Sequence, residues 1–240
     1  MKPVAILNTD TIPDELASVH GQYPDMFIHS LCAIEPAREF VRFDVNKGEF
    51  PEALETFSGV LITGSQSAAY DTDKWIHRLQ STIRDLVRLQ IPLVGICFGH
   101  QVIHQALGGV VQKAQGGWCV GIHKNQLTAS VTGVGDKGRE LKLLSSHQDQ
   151  VIAPAPDAEV LASTAFCPVA ITRIGECVLT LQGHPEFTRE YALALMNKRK
   201  QDIGEKVYQR ALASLSAPLD DELALSWMLR VLSGAESEAR

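Results

Sequence analysis

The segment Ile91–Gln101, I-P-L-V-G-I-C-F-G-H-Q, constrains this chain more than any other. Leu93, Val94, Gly95 and Ile96 lead an apolar run into Cys97, and a helix-compatible run from His100 to Leu107 follows at once. Such a change of period reads as a buried strand feeding a helix, with Cys97 at the corner. A corner this tight holds its side chain above the sheet at a strained backbone position, and Gly95 and Gly99, two residues to either side, keep the approach clear. The helix that follows points its positive end at the sulfur, which favours negative charge there. Taken alone, a cysteine ending an apolar run reads as a small buried hydrophobe.

A second patch argues for chemistry. The apolar run Cys177-Val178-Leu179-Thr180-Leu181 ends in Gln182-Gly183-His184-Pro185-Glu186-Phe187. A cysteine nucleophile needs a histidine to move the proton and an acid to orient that histidine. His184 and Glu186 supply both at one strand end, and Pro185 fixes the chain between them. His147 is the competing base, and His184 beside Glu186 is the stronger choice.

Gly95-Ile96-Cys97-Phe98-Gly99-His100-Gln101 and His184-Pro185-Glu186 match, without a gap, the G-x-C-x-G-x-Q and H-P-E motifs of class I glutamine amidotransferases, which the chain resembles from about Val4 to about Met196. The resemblance is nearest the amidotransferase part of GMP synthase and its free-standing relatives. It implies a catalytic triad of Cys97, His184 and Glu186, and an oxyanion hole made by the backbone N–H groups of Gly64 and Phe98. It also implies that Gln101 contacts the bound glutamine. Ser145 to Val151 resembles the family's S-H-x-D-x-V segment, which implies backbone contacts from Gln148 and Asp149 to the amino-acid end of the substrate. Thr63-Gly64-Ser65 departs from the family's common Gly-Gly-Pro but keeps the glycine.

The rest of the sequence supports one layered fold. Val4 to Leu7, Phe40 to Val45 and Gly59 to Ile62 read as strands, and Asn8-Thr9-Asp10 with Pro13-Asp14 as a loop. Tyr23 to Ile34 and Lys74 to Leu89 carry apolar residues at helical spacing. Strands alternating with helices predict an α/β, doubly wound, mostly parallel central sheet with flanking helices, ligands meeting it at the strand C-termini. This agrees with the flavodoxin-like architecture that the resemblance implies. Short alternating segments from Val110 to Ser163 predict an antiparallel extension of that sheet, and Thr188 to Lys200 a further helix. Residues 1–200 form the amidotransferase-like domain. Residues 201–240 form a C-terminal helical tail whose Trp227 and leucines pack on the domain or on a second copy of the chain, a homodimer in the latter case, with Gly234 to Arg240 frayed.

A net charge of -6 and the lack of any Lys/Arg block argue against nucleic-acid binding. Without an apolar run of membrane length or a leader pattern, a cytoplasmic protein with no membrane partner is expected. The 5 cysteines contain no C-x-x-C pair, so reduced thiols are expected. His100 and His104 stand four apart like helical metal ligands, yet lack the intervening glutamate and a third ligand, so no metal or other cofactor is assigned.

The leading expectation is hydrolysis of the side-chain amide of L-glutamine through a Cys97 γ-glutamyl thioester, with ammonia going to a separate synthase subunit, since no P-loop for an acceptor half is present. A γ-glutamyl peptidase with the same triad is the alternative. The two differ in whether the pocket beyond the amide nitrogen is closed around ammonia or open to a peptide. A catalytically silent glutamine-binding or sensor domain is the third reading.

Overall fold

The computed structural model describes residues 2–234. The chain runs through β1 (Val4–Asn8), α1 (Asp14–His20), α2 (Tyr23–Ile34), β2 (Phe40–Asp44), β3 (Gly59–Ile62), α3 (Lys74–Arg88), β4 (Leu93–Ile96) and α4 (Phe98–Ala106). It continues through β5 (Val110–Lys113), β6 (Cys119–Leu127), β7 (Glu140–His147), β8 (Asp149–Ala153), β9 (Ala158–Ser163), β10 (Ile171–Ile174) and β11 (Val178–Leu181). Four helices close it: α5 (Arg189–Lys198), α6 (Lys200–Ile203), α7 (Glu205–Ser214) and α8 (Asp221–Leu232).

The main sheet has the order β2-β1-β3-β4-β11-β10-β9-β6-β7. From β2 to β11 neighbouring strands are parallel, and from β11 to β7 they are antiparallel. β1, β3, β4 and β11 are buried along their whole length, as strands covered on both faces must be. One face meets Phe27 and Leu31 of α2 with Trp227, Met228 and Leu232 of α8. The other meets Ile76, Leu79, Ile83 and Leu86 of α3 with Phe98, Val102 and Ile103 of α4. Each fully buried aliphatic side chain of this kind contributes about 1.5–3 kcal/mol over an exposed one.

α8 therefore belongs to the helical layer itself. Trp227, Met228 and Leu232 are covered by the chain's own sheet. The helix comes so close that a Cβ on Gly59 would lie 2.8 Å from the Leu232 carbonyl oxygen. The fraying expected beyond Gly234 falls outside the described residues.

Three local expectations need correction. β5 and β8 pair with each other in a separate two-stranded sheet instead of extending the main one. Alternation identifies a strand but not its partner, and β5, with only Val111 buried, has too little apolar surface for a sheet interior. Asp14 begins a helix and not a loop, although α1 buries no residue. The helix after β4 starts at Phe98, two residues before His100. No helix of the described residues is long and apolar enough to cross a membrane.

Candidate active site

Cys97 stands between β4 and α4 at φ 53 and ψ -101, a conformation that costs a non-glycine residue about 1–3 kcal/mol. Hydrogen bonds on both sides hold it there: Cys97 N–H donates to Leu181 O at 2.8 Å, and Gly99 N–H to Thr63 O at 3.2 Å. A Cβ on Gly95 would lie 2.5 Å from Ile103 Cδ1, and one on Gly99 would lie 2.4 Å from Ile62 O. The flanking glycines thus let the corner pack down onto β3 and β4, a tighter requirement than the clear approach expected of them.

His184 lies just past β11 and is fixed from three directions. Its backbone N–H donates to Leu144 O on β7 at 2.7 Å, its Nδ1 lies 2.8 Å from Glu186 Oε1, and Phe187 stacks on the ring with centroids 3.8 Å apart. Phe187 leans in turn on Tyr191, whose hydroxyl donates to that of Tyr23. Burial alone would push the His184 imidazole down. The Glu186 carboxylate and the Cys97 sulfur, which hydrogen-bonds the ring, outweigh it and hold His184 up at about 10.

Gly64 closes the third side, since a Cβ there would lie 3.0 Å from His184 Cε1 and 3.7 Å from Cys97 Cβ. Its peptide is pinned by threonines that the sequence did not single out. Thr9 Oγ1 lies 2.8 Å from Gly64 O and 3.2 Å from Thr63 O, while Thr9 N–H donates to Thr63 Oγ1 at 3.0 Å. The backbone N–H groups of Gly64 and Phe98 donate to no acceptor among the described residues, the latter because it opens a helix. Ser65, where the family pattern has proline, donates its hydroxyl to Thr9 O and accepts from Ser67 N–H, so the loop is held by hydrogen bonds where proline would stiffen it.

The expected substrate-binding segment lies across the same opening. Gln101 Nε2 donates to Asp149 O at 2.8 Å and to Gln182 Oε1 at 3.1 Å, so its amide nitrogen is engaged with the protein. His147 Nδ1–H also donates to Asp149 O, and Ala114 N–H donates to Gln148 O. The two backbone carbonyls are thus occupied. The Asp149 carboxylate, raised by burial, accepts from the Tyr70 hydroxyl at 3.1 Å. A cavity of about 470 Å³ is lined by Cys97 together with Gln101, Tyr70, Asp149, Trp118 and Arg199.

His104 is satisfied away from this opening through both ring nitrogens, and His100 through Nδ1 alone, its buried Nε2 having no hydrogen-bond partner among the described residues. His104 Nδ1 accepts from Ala155 N–H, so its Nε2–H donates to Thr172 Oγ1, which meets Thr180 Oγ1 at 2.6 Å; that hydroxyl reaches His100 Nδ1 at 2.6 Å. Burial keeps both rings neutral, His104 at about 4 and His100 well below its usual value. Among the described residues no group of three or more His, Cys, Asp or Glu is placed to hold a metal ion.

The family model for glutamine amidotransferase class-I matches residues 16–198. Gamma-glutamyl peptidase 2 of Arabidopsis thaliana is 29% identical over 204 residues, covering 82% of each chain. A putative glutamine amidotransferase-like protein of Schizosaccharomyces pombe is 31% identical, covering 93% of this chain and 96% of its own. The fold is shared with a solved glutamine amidotransferase from Thermotoga maritima, at a TM-score of 0.75 and 20% identity over 100% of both chains.

Proposed function

The chain belongs to the class I glutamine amidotransferase family, and from that premise we propose that it is a cysteine hydrolase of γ-glutamyl amide bonds, with γ-glutamyl peptides as its substrates. Cys97 Sγ attacks the γ-carbonyl carbon, and the N–H groups of Gly64 and Phe98 receive the oxyanion. The C–N bond breaks as His184 gives its proton to the leaving nitrogen. Water, losing a proton to His184, then adds to the thioester, the S–C bond breaks, and glutamate leaves with the sulfur ready for another cycle. Glu186 keeps the imidazole oriented throughout.

The observation that carries the peptidase reading is the opening beyond the nucleophile. A cavity of about 470 Å³ falls within the roughly 300–1,000 Å³ of pockets that hold small-molecule ligands, room that ammonia alone does not need. The similarity to a γ-glutamyl peptidase over most of both chains points the same way.

Glutamate release from γ-glutamyl peptides and from L-glutamine, with Cys97→Ala as the blank, tests the reading. Higher kcat/KM on the peptides supports it. Preference for glutamine would instead return the chain to an ammonia-supplying role beside a separate synthase subunit, and silence on every substrate would favour a binding domain.

A further inference from the structure

The cavity lined by Cys97 is also lined by Arg199, an arginine with no carboxylate partner among the described residues. α5 and α6 meet in a basic run, Lys198, Arg199 and Lys200. Lys198 pairs with Glu15 and Lys200 with Glu205. Arg199 pairs with no carboxylate among the described residues. It is half-buried, its Nη1–H donates to Ser146 Oγ at 3.2 Å, and its guanidinium lies 5.7 Å from the centre of the Trp118 ring. Asp202 lines the same cavity but is not within ion-pair distance of it. Asp10, whose charge Arg199 also feels, is already held by the N–H groups of Thr11 and Gln66 and by the Gln66 amide.

A planar guanidinium braced by an aromatic face and a hydroxyl keeps donors in a fixed fork that matches a carboxylate. Building on the peptidase reading above, we propose that Arg199 forms a subsite for a free carboxylate on the leaving group, so that the preferred substrates are γ-glutamyl peptides ending in a carboxylic acid. With the reacting carbonyl at Cys97 and the γ-glutamyl amino-acid end at Gln148 and Asp149, this assignment gives Arg199 and Trp118, which line the same cavity, to the leaving amino acid. Arg199 selects the substrate and takes no part in the bond-breaking steps.

The test compares γ-glutamyl-alanine with γ-glutamyl-alanine amide, which differ only in that terminal charge. The unaltered protein should favour the acid by about tenfold or more in kcat/KM, the range for a hydrogen bond to a charged group, with the difference carried by KM. In Arg199→Gln the acid-to-amide ratio falls toward one, and in Arg199→Lys it lies between. Equal cleavage of the two peptides by the unaltered protein would overturn the subsite. A parallel loss on both peptides in Arg199→Gln would do so too, since it would place Arg199 on the γ-glutamyl half or in the packing. Absence of Cys97-dependent cleavage of either peptide would overturn the peptidase reading itself, and this subsite with it.

Discussion

The hydroxyl of Thr9, at the end of β1, lies 2.8 Å from the carbonyl oxygen of Gly64, at the end of β3. Through it the first strand of the chain holds the loop whose N–H is the proposed oxyanion donor. Thr9→Val keeps the shape and removes the hydrogen bond, so turnover should fall about tenfold to a hundredfold, less than the loss of an oxyanion donor outright, with KM little changed. Thr9→Ser restores the hydroxyl and should recover most of the rate. Steady-state kinetics of the two variants separates this positioning role from general destabilisation, which Ser would not repair selectively in kcat.

Gly64→Ala isolates space from backbone strain. Gly64 is not among the glycines at positive φ, so alanine fits the backbone, but its methyl would press on His184 Cε1 from 3.0 Å. The variant should keep its thermal midpoint to within a few degrees, as expected for a change of about 1 kcal/mol or less. It should lose most of its activity, a split read by calorimetry beside kinetics.

Phe187 is both core and brace, stacked on His184 at 3.8 Å and packed edge-on to Tyr191 at 4.7 Å. Phe187→Leu leaves an apolar residue of smaller reach, which should cost about 1–3 kcal/mol in denaturant unfolding. It should lower kcat further than KM because the imidazole loses one of its three restraints.

Four buried histidines set the pH dependence of stability. His104 and His147 are held down by burial, to about 4 and about 3, and His100 well below its usual value. Unfolded, each titrates near 6.5, so below that pH the unfolded chain binds protons the native one does not, and each residue removes about 1.4 kcal/mol per pH unit. His184 has the opposite sign. Burial lowers it, but Glu186 and Cys97 raise it to about 10, so its contribution is complete below pH 6.5 and is lost as pH climbs toward 10. Thermal unfolding should therefore show its highest midpoint near pH 6.5. A midpoint still rising from pH 6.5 to 5 would contradict the neutral state of the three rings.

The nucleophile corner and the His-Pro-Glu patch were legible because each is encoded within a few residues, an apolar run broken by glycine, proline and one reactive side chain. Neighbouring strands in the sheet then brought the two together, since β4 pairs directly with β11. Thr9 and Thr63 were not legible, because their hydrogen bond joins residues 54 apart and each looks like an ordinary polar residue at a strand end. Their one signal was position, at the same C-terminal edge as Gly64 and Cys97. Gln101 was expected at the ligand, and its amide nitrogen proves to tie the elbow helix to Asp149, a contact that needs the pairing of β5 with β8 to exist. Arg199 was not singled out in the sequence, where it stands between two lysines, and the pairing of those neighbours with Glu15 and Glu205 sets it apart.

The central claim is that one sulfur carries the reaction, and the rate of glutamate release from γ-glutamyl-alanine by Cys97→Ala measures it most directly. Loss of a nucleophile in a coupled triad should reduce kcat by at least about 10³-fold while the protein stays folded and melts near the temperature of the unaltered chain. Release within tenfold of the unaltered protein would mean that Cys97 is not the nucleophile, and that the site gathered around it serves another end.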